Sequence, residues 1–310
     1  MEKKNSVFGV IGIKAEMANW NADFNGDPKN TPDGTIFGSD KSLKYAIKQQ
    51  WLENGEKVLM VKTKKIEKGN LLVNNLEERY TKLFGKIDTK NNIEVLENLF
   101  KAIDTLTFGV AFAVKKTNHS ITGAVQINQG FNKYEDTNII TQDILSPFAN
   151  SNAEGNVQAT IGKMIHVDEA HYCYSFSVNP TVYAEYKTKT LFGENFEGYT
   201  EEAYEKFKEA ALTAVTGLNS ATKSGCMNEY AIFINLKEGS KKMLPKFDTF
   251  VTVEKEDKVI VNINKAKNLL EAYKNEIENI EIYYDDELTE VDYSALTEEI
   301  KELIIEKILY

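Results

Sequence analysis

The sequence predicts an α+β fold with a ferredoxin-like, RNA-recognition-like core carrying insertions. Three observations predict it. The chain opens on a strand, a helix and a strand, and a second strand–helix–strand run follows later. Between these runs lie two stretches of different character, one with two helical patterns and one that is polar. The length, 310 residues, suits one large domain or a core with sizeable insertions.

Each element has a local reason. Val7–Ala15 is rich in β-branched residues and predicts the first strand. Residues 16–38 are a long loop of Asn, Asp, Gly and Pro, and a loop of that length in a compact domain is usually functional or mobile. Ser39 caps a helix reaching about Asn54, with Leu43, Ala46, Ile47 and Trp51 as its apolar face and Gly55 as its stop. Lys57–Thr63 predicts a strand, Asn75–Phe84 and Ile93–Ile103 two helices, and Leu106–Val114 and Thr122–Asn128 two more strands.

Residues 130–160 are dominated by Asn, Gln, Ser, Gly and Asp with scattered Ile139, Ile140, Ile144, Leu145 and Phe148, which predicts an inserted arm or hairpin. Strands follow at Thr160–Val167 and His171–Val178. Thr200 caps an amphipathic helix to about Gly217, with Tyr204, Phe207, Ala211, Val215 and Leu218 on one stripe. Strands are expected at Tyr230–Leu236, Phe247–Val253, Val259–Ile263 and Ile280–Tyr284, a helix at Lys265–Ile277 and a last helix from about Ser294.

The composition, 42% hydrophobic and 27% charged, is that of a globular chain and excludes collagen-like and disordered classes. The apolar run Val7–Ile13 is too short to span a bilayer and no small-residue cleavage site follows it, so a cytoplasmic location is expected. Cys173 and Cys226 lie far apart, in neither disulfide nor zinc spacing, and read as buried thiols. The formal net charge of −10 argues against phosphate binding until it is located. Residues 271–310 hold 13 acidic residues and 3 lysines, leaving 34 acidic and 34 basic residues in the rest. Arg79 is the only arginine, so any phosphate clamp here is made of lysine and backbone N–H groups.

The stretch 39–48, SDKSLKYAIK, is the most informative constellation. At about 100° per residue, Lys41, Lys44 and Lys48 fall within about 60° of one another, away from the apolar stripe. Lys41 sits in the first helical turn, where the macrodipole disfavours a cation unless an anion is bound there. A solvated helix face is the alternative reading. Asp23, Asn25 and Asp27 resemble the start of a calcium loop, but Pro28 stands where glycine is needed and Gly34 where a bidentate Glu belongs. Asp23, Asp27 and Asp33 are open to two readings, nuclease carboxylates or Asx-turn residues. His119, His166 and His171 carry no catalytic signature, and the latter two read as strand-end or surface positions. No phosphate loop, dinucleotide fingerprint, cofactor site or metal site is read in the chain. The isolated apolar residues of the arm either wedge between bases, dock on a neighbour, or pack beneath the arm itself.

Residues 19–28 (NWNADFNGDP) and 32–48 (PDGTIFGSDKSLKYAIK) resemble the backbone subunit of type I-B CRISPR Cascade complexes, of the Csh/Csd kind in the RAMP superfamily. Residues 104–109 (DTLTFG), 120–126 (SITGAVQ) and 222–229 (TKSGCMNE) are similar to further blocks of that family in the same order. The resemblance spans about residues 7–63, 104–129, 160–180 and 199–238 and is weak after about 245.

It implies a single right-hand-like domain: an RNA-recognition-like palm (about 7–63, 104–129, 160–180 and 199–263), a helical finger insertion (about 64–103), a thumb (about 130–160) and the acidic segment 271–310 facing away from RNA. Partners implied are CRISPR RNA, target DNA through guide pairing, further copies of the chain and other Cascade subunits, with no membrane and no catalysis. RNA contacts are implied for Asn19, Asn21, Asn25, Lys41, Lys44, Lys48, Lys163, Thr222, Lys223 and Ser224. Thumb wedge candidates are Ile139, Ile140, Leu145, Phe148 and Met164. Many relatives carry arginine where this chain has Lys48, and lysine lacks the bidentate fork. Two alternatives stand beside the scaffold: a metal-dependent RNA-cleaving subunit of the type III kind using Asp23, Asp27 or Asp33, and a filament-forming protein without RNA.

Overall fold

The computed structural model describes residues 1–88, 90–149, 158–188 and 191–309; the side chains of 146–149, 158–161 and 194 are outside that description. Strand β1 (Val7–Ala18) is the spine of the main sheet. Both its faces are buried, which is why it reads as a near-continuous apolar run. After the loop come β2 (Phe37–Gly38) and helix α1 (Asp40–Glu53). An insertion follows: hairpin β3 (Lys64–Glu67) and β4 (Asn70–Val73), then helices α2 (Leu76–Phe84), α3 (Asn92–Phe100) and α4 (Ile103–Phe108), then hairpin β5 (Gly109–Val114) and β6 (Thr117–Thr122).

The chain returns to the sheet as β7 (Val125–Asn132), leaves as β8 (Ile139–Ala149) and re-enters as β9 (Gln158–Val178). Helix α5 (Glu201–Thr213) and β10 (Cys226–Leu236) follow. The central order is β10-β1-β9-β7, antiparallel at every step, with β2 on the β7 edge. Helices α1, α4 and α5 cover one face, where Ile11, Ile13, Ala15, Tyr172, Tyr174, Phe176 and Phe233 meet Leu43, Trp51 and Phe207. Trp51 Nε1 donates to the Lys206 carbonyl at 3.1 Å and joins α1 to α5.

The other face carries a C-terminal layer. The C-terminal part of the chain runs through strands β11 (Thr252–Lys255) and β12 (Val259–Asn262), helix α6 (Lys267–Tyr273), strand β13 (Ile277–Tyr284), strand β14 (Thr289–Asp292), helix α7 (Glu298–Lys301) and strand β15 (Ile304–Ile308). β13 and β15 extend the main sheet beyond β10, while β11, β12 and β14 form a small sheet of their own. Phe8, Val10, Ile232 and Ile234 pack there against Phe247, Val261 and Leu270.

Several local expectations are corrected. Residues 57–63 form no strand: the Leu59 and Met60 N–H groups donate to the Asp104 carboxylate at 2.8 and 2.7 Å, and Arg79 takes the Val58 carbonyl. Residues 103–108 are the helix α4, and the strand begins only at Gly109. The two strands expected within 160–178 are one, β9. Phe247–Phe250 is a 3-10 turn ahead of β11. The expected last helix is a single turn followed by β15, whose Ile304, Ile305 and Ile308 suit a strand. His166 and His171 are buried, not on the surface. Among the described residues, no helix is long and apolar enough to cross a membrane.

Candidate nucleic-acid interface

One end of the sheet gathers most of the residues singled out in the sequence. Four segments meet there: the loop after β1, the start of α1, the turn 220–225 before β10, and the base of the β8–β9 hairpin. The end of β1 is sewn to the turn by two backbone bonds, Glu16 N to Gly225 O at 2.9 Å and Asn19 N to Thr222 O at 2.8 Å. Gly225 is required for this approach, since a Cβ on it would lie 1.9 Å from the Glu16 carbonyl oxygen.

Asn19 is buried and works structurally. Its Nδ2 donates to Gly26 O at 3.0 Å and to Ile165 O at 2.9 Å, tying the loop to the hairpin. Among the described residues, its Oδ1 has no hydrogen-bond partner, and neither has either ring nitrogen of the buried His166 nearby on β9. Asn21 Oδ1 accepts the Ser39 N–H at 2.8 Å and so fixes the entry to α1. The Ser39 hydroxyl meets Ser42 Oγ at 3.2 Å and does not cap a helical N–H. Trp20 Nε1 donates to the Tyr174 hydroxyl at 2.6 Å in the core below, and Gly38 passes so close that a Cβ there would overlap that hydroxyl.

The three lysines of α1 share a face but differ in state. Lys41 is exposed. Lys44 pairs with Asp40 at 3.1 Å and lies over the Phe108 ring. Lys48 donates to the Met60 carbonyl at 2.8 Å; burial lowers its pKa, with the nearby Asp104 acting the other way. Asp104 itself is buried, and burial raises its pKa despite the Leu59 and Met60 N–H groups and Lys48. Lys223 Nζ lies 3.4 Å from the Asn19 carbonyl and over the Trp20 ring, and burial lowers its pKa. Thr222 gives its carbonyl to Asn19, and Ser224 ends the 3-10 turn with its hydroxyl on Ala221 O at 3.5 Å.

The aspartates of the loop adopt turn chemistry. Asp23 Oδ1 accepts from Asn25 N at 2.8 Å and Asp27 N at 3.0 Å. Asp33 accepts from Thr31 Oγ1 and Thr35 N, hydrogen bonds that hold its pKa below the usual carboxylate value. Asn25 is exposed, its backbone held by the same turn.

The hairpin projects from this end. β9 pairs with β1 only as far as the Ala18–Val167 pair; beyond it, β9 pairs with β8 alone. Ile139, Ile144 and Leu145 are exposed on the hairpin, while Ile140 and Met164 are half-buried. Phe148 lies on β8, but its side chain is outside the described residues, as are residues 150–157 of the expected thumb. Lys163 is exposed opposite Asp143. Lys163, Met164 and the apolar hairpin residues therefore stand out from the cluster formed by Asn19, Asn21, Lys41 and 222–224. Sequence reasoning did not single out Trp20 and Gly225 as positioning residues, although both fall inside the stretches that carried the resemblance.

The family model for CRISPR-associated protein Cas7 matches residues 5–283. A solved chain described as "CRISPR RNA-guided surveillance complex, pre-nicking" is similar in fold, with a TM-score of 0.57 at 12% identity over 98% of this chain and 97% of that one. A second, described as "CRISPR RNA-guided surveillance complex", gives 0.47 at 15% identity over 93% of each chain. No curated protein gives a significant match. With a family model spanning most of its length, the chain belongs to the Cas7 family of CRISPR-associated proteins.

Proposed function

We propose that the chain is the guide-RNA-binding backbone subunit of a type I-B Cascade complex, repeated along the CRISPR RNA spacer so that the bases stay free to pair with target DNA. It acts in the cytoplasm as a scaffold and not as an enzyme, with other Cascade subunits as partners. The observation that carries this reading is the gathering of the post-β1 loop, the start of α1, the 220–225 turn and a projecting hairpin at one end of the sheet. The order β10-β1-β9-β7, with α1 and α5 on one face, supports a ferredoxin-like palm. On that palm, residues 130–160 act as the thumb and 64–103 as the finger region.

In this reading the RNA backbone runs past Asn25, Lys41, Lys223 and Ser224, with Asn19, Asn21, Lys44, Lys48 and Thr222 shaping the groove. Lys163 extends it along the thumb. Ile139, Ile140, Leu145, Phe148 and Met164 are the wedge candidates. Contact through phosphate charge gives length-dependent and sequence-independent binding.

The test is to express the chain with its neighbouring genes and a CRISPR array, purify the assembly and sequence the nucleic acid that comes with it. Discrete RNAs carrying spacer sequence are expected. An intact assembly without RNA overturns the reading. Incubating the assembly with complementary RNA and Mg²⁺ is expected to leave that RNA whole; regular cuts abolished by Asp23→Ala, Asp27→Ala or Asp33→Ala would replace the scaffold with a nuclease.

A further inference from the structure

Only two aromatic side chains among the described residues are exposed, Phe24 and Tyr45. Both lie on elements of the candidate interface. Tyr45 is one turn beyond the exposed Lys41 on α1, so the two share a helical face. Phe24 sits at the tip of the turn in the post-β1 loop and is as open to solvent as in an extended peptide, at 109%.

A lone exposed apolar residue needs no explanation when its loop is loose. This loop is not loose. Asp23 N donates to Asp27 O at 2.8 Å, the Asp23 carboxylate takes two further N–H groups, and Lys29 N donates to Asn21 O at 2.9 Å. A bridge pairs Ala22 with Pro28, and Gly26 takes a left-handed φ of 93° that closes the turn. Asn19 then fixes the turn from inside, its one amide group donating both to Gly26 O and to Ile165 O on β9. The tip carrying Phe24 is thus held to the base of the hairpin. Met17, half-exposed with an unusual positive φ of 46°, adds a second apolar group at the end of β1.

The chemistry of this arrangement is a rigidly held aromatic face on a polar loop that is tied through Asn21 to the start of α1, the helix carrying the exposed Lys41. Nucleobases offer a π-face whatever their identity, and such a face stacks on an aromatic ring without reading sequence. We propose that Phe24 is a base-stacking residue for single-stranded RNA, on the same interface as the exposed Lys41. The proposal rests on the guide-scaffold reading and adds to it a residue whose contact is with a base and not with the phosphate chain.

The test uses the full chain, and in parallel the assembled complex, with single-stranded RNA carrying 2-aminopurine at successive positions. Binding to the unaltered chain is expected to quench the probe at particular positions. Phe24→Tyr and Phe24→Trp should retain the quenching; Phe24→Leu and Phe24→Ala should lose it. Phe24→Ala should weaken binding by about 10-fold, with the slope of affinity against salt unchanged because no charge is removed. Its melting temperature should not move, since the side chain packs against nothing. If Phe24→Ala and Phe24→Leu leave affinity and quenching intact on a chain that binds RNA, the stacking role is overturned and the scaffold stands. If Phe24→Ala instead lowers the number of copies per guide while each copy binds as before, Phe24 is a protein contact and the proposal is overturned. If neither the chain nor the complex binds RNA, both readings fail.

Discussion

Lysines at two places in this molecule have opposite surroundings. Where the main sheet meets the C-terminal layer, Lys14 lies 2.9 Å from Glu16 and 3.3 Å from Glu169, Lys255 of β11 pairs with Glu169, and Lys133 lies 3.6 Å from Asp248. In their midst His171 is buried, with Nδ1 at 2.8 Å from Glu229 and Nε2 at 3.3 Å from Glu169. Each cation there has a carboxylate. At the interface end, Lys41 and Lys163 are exposed and Lys223 rests on a carbonyl and an indole ring. The lesson is that the net charge of −10 describes neither place. Charge that neutralises charge inside the fold is structural, and what matters for binding is the small remainder that forms no ion pair among the described residues.

Breaking the buried side of this comparison should have the largest effect. Glu229→Ala removes the carboxylate that meets the buried His171 Nδ1 and leaves that ring atom without its partner, and should cost about 1–3 kcal/mol. Urea unfolding reads this as a lowered midpoint, and RNA affinity measured where the variant is folded should be unchanged. Lys48 stands between the two classes. Lys48→Ala removes the hydrogen bond to Met60 O and a cation close to Asp104, and should cost about 1 kcal/mol of stability. Its effect on RNA binding should be smaller than that of Lys41→Ala. Lys41→Ala should leave the melting temperature in place and lower RNA affinity for all sequences alike, reducing the salt slope by about 0.7. Equal effects of the two lysine variants on stability and affinity would erase the distinction.

The smallest effect concerns acid. Burial alone would raise the Glu169 carboxyl, but Lys255, Lys14 and His171 outweigh it and hold its pKa below that of the unfolded chain. A depressed carboxyl pKa contributes stability that is present above the unfolded value of about 4.3 and is lost as pH falls through the folded one. Stability followed by urea unfolding from pH 6 down to about pH 3 should therefore fall less steeply in Glu169→Gln than in the unaltered chain. Parallel curves would remove Glu169 from the network.

How much of this was legible in the sequence depended on how local its cause was. β1, α1, α2 and α5 were readable because their apolar patterning lies within each segment; of the two expected caps, Thr200 Oγ1 does accept the Ala203 N–H at 3.1 Å, while Ser39 makes no side-chain cap on α1. Residues 57–63 were misread because their N–H groups are claimed by Asp104, more than forty positions away. The burial of His171 was hidden because Glu229 comes from another strand. The lysine stripe on α1 was visible as a spacing, but the commitment of Lys44 and Lys48 depends on Asp40 and on the Met60 carbonyl reached through the irregular segment. Gly225 was in plain view, yet only the approach of Glu16 says why it is glycine.

β9 is one unbroken strand of 21 residues, about 70 Å long if fully extended, and serves both the sheet interior and the arm. An arm built this way is a cantilever clamped at its root between β1 and β7, with no joint where it leaves the wall. A load on its free part is resisted by shear along two ladders of hydrogen bonds and not by bending at a loop. The distance from sheet to arm is then a fixed gauge, set by the covalent run of one strand.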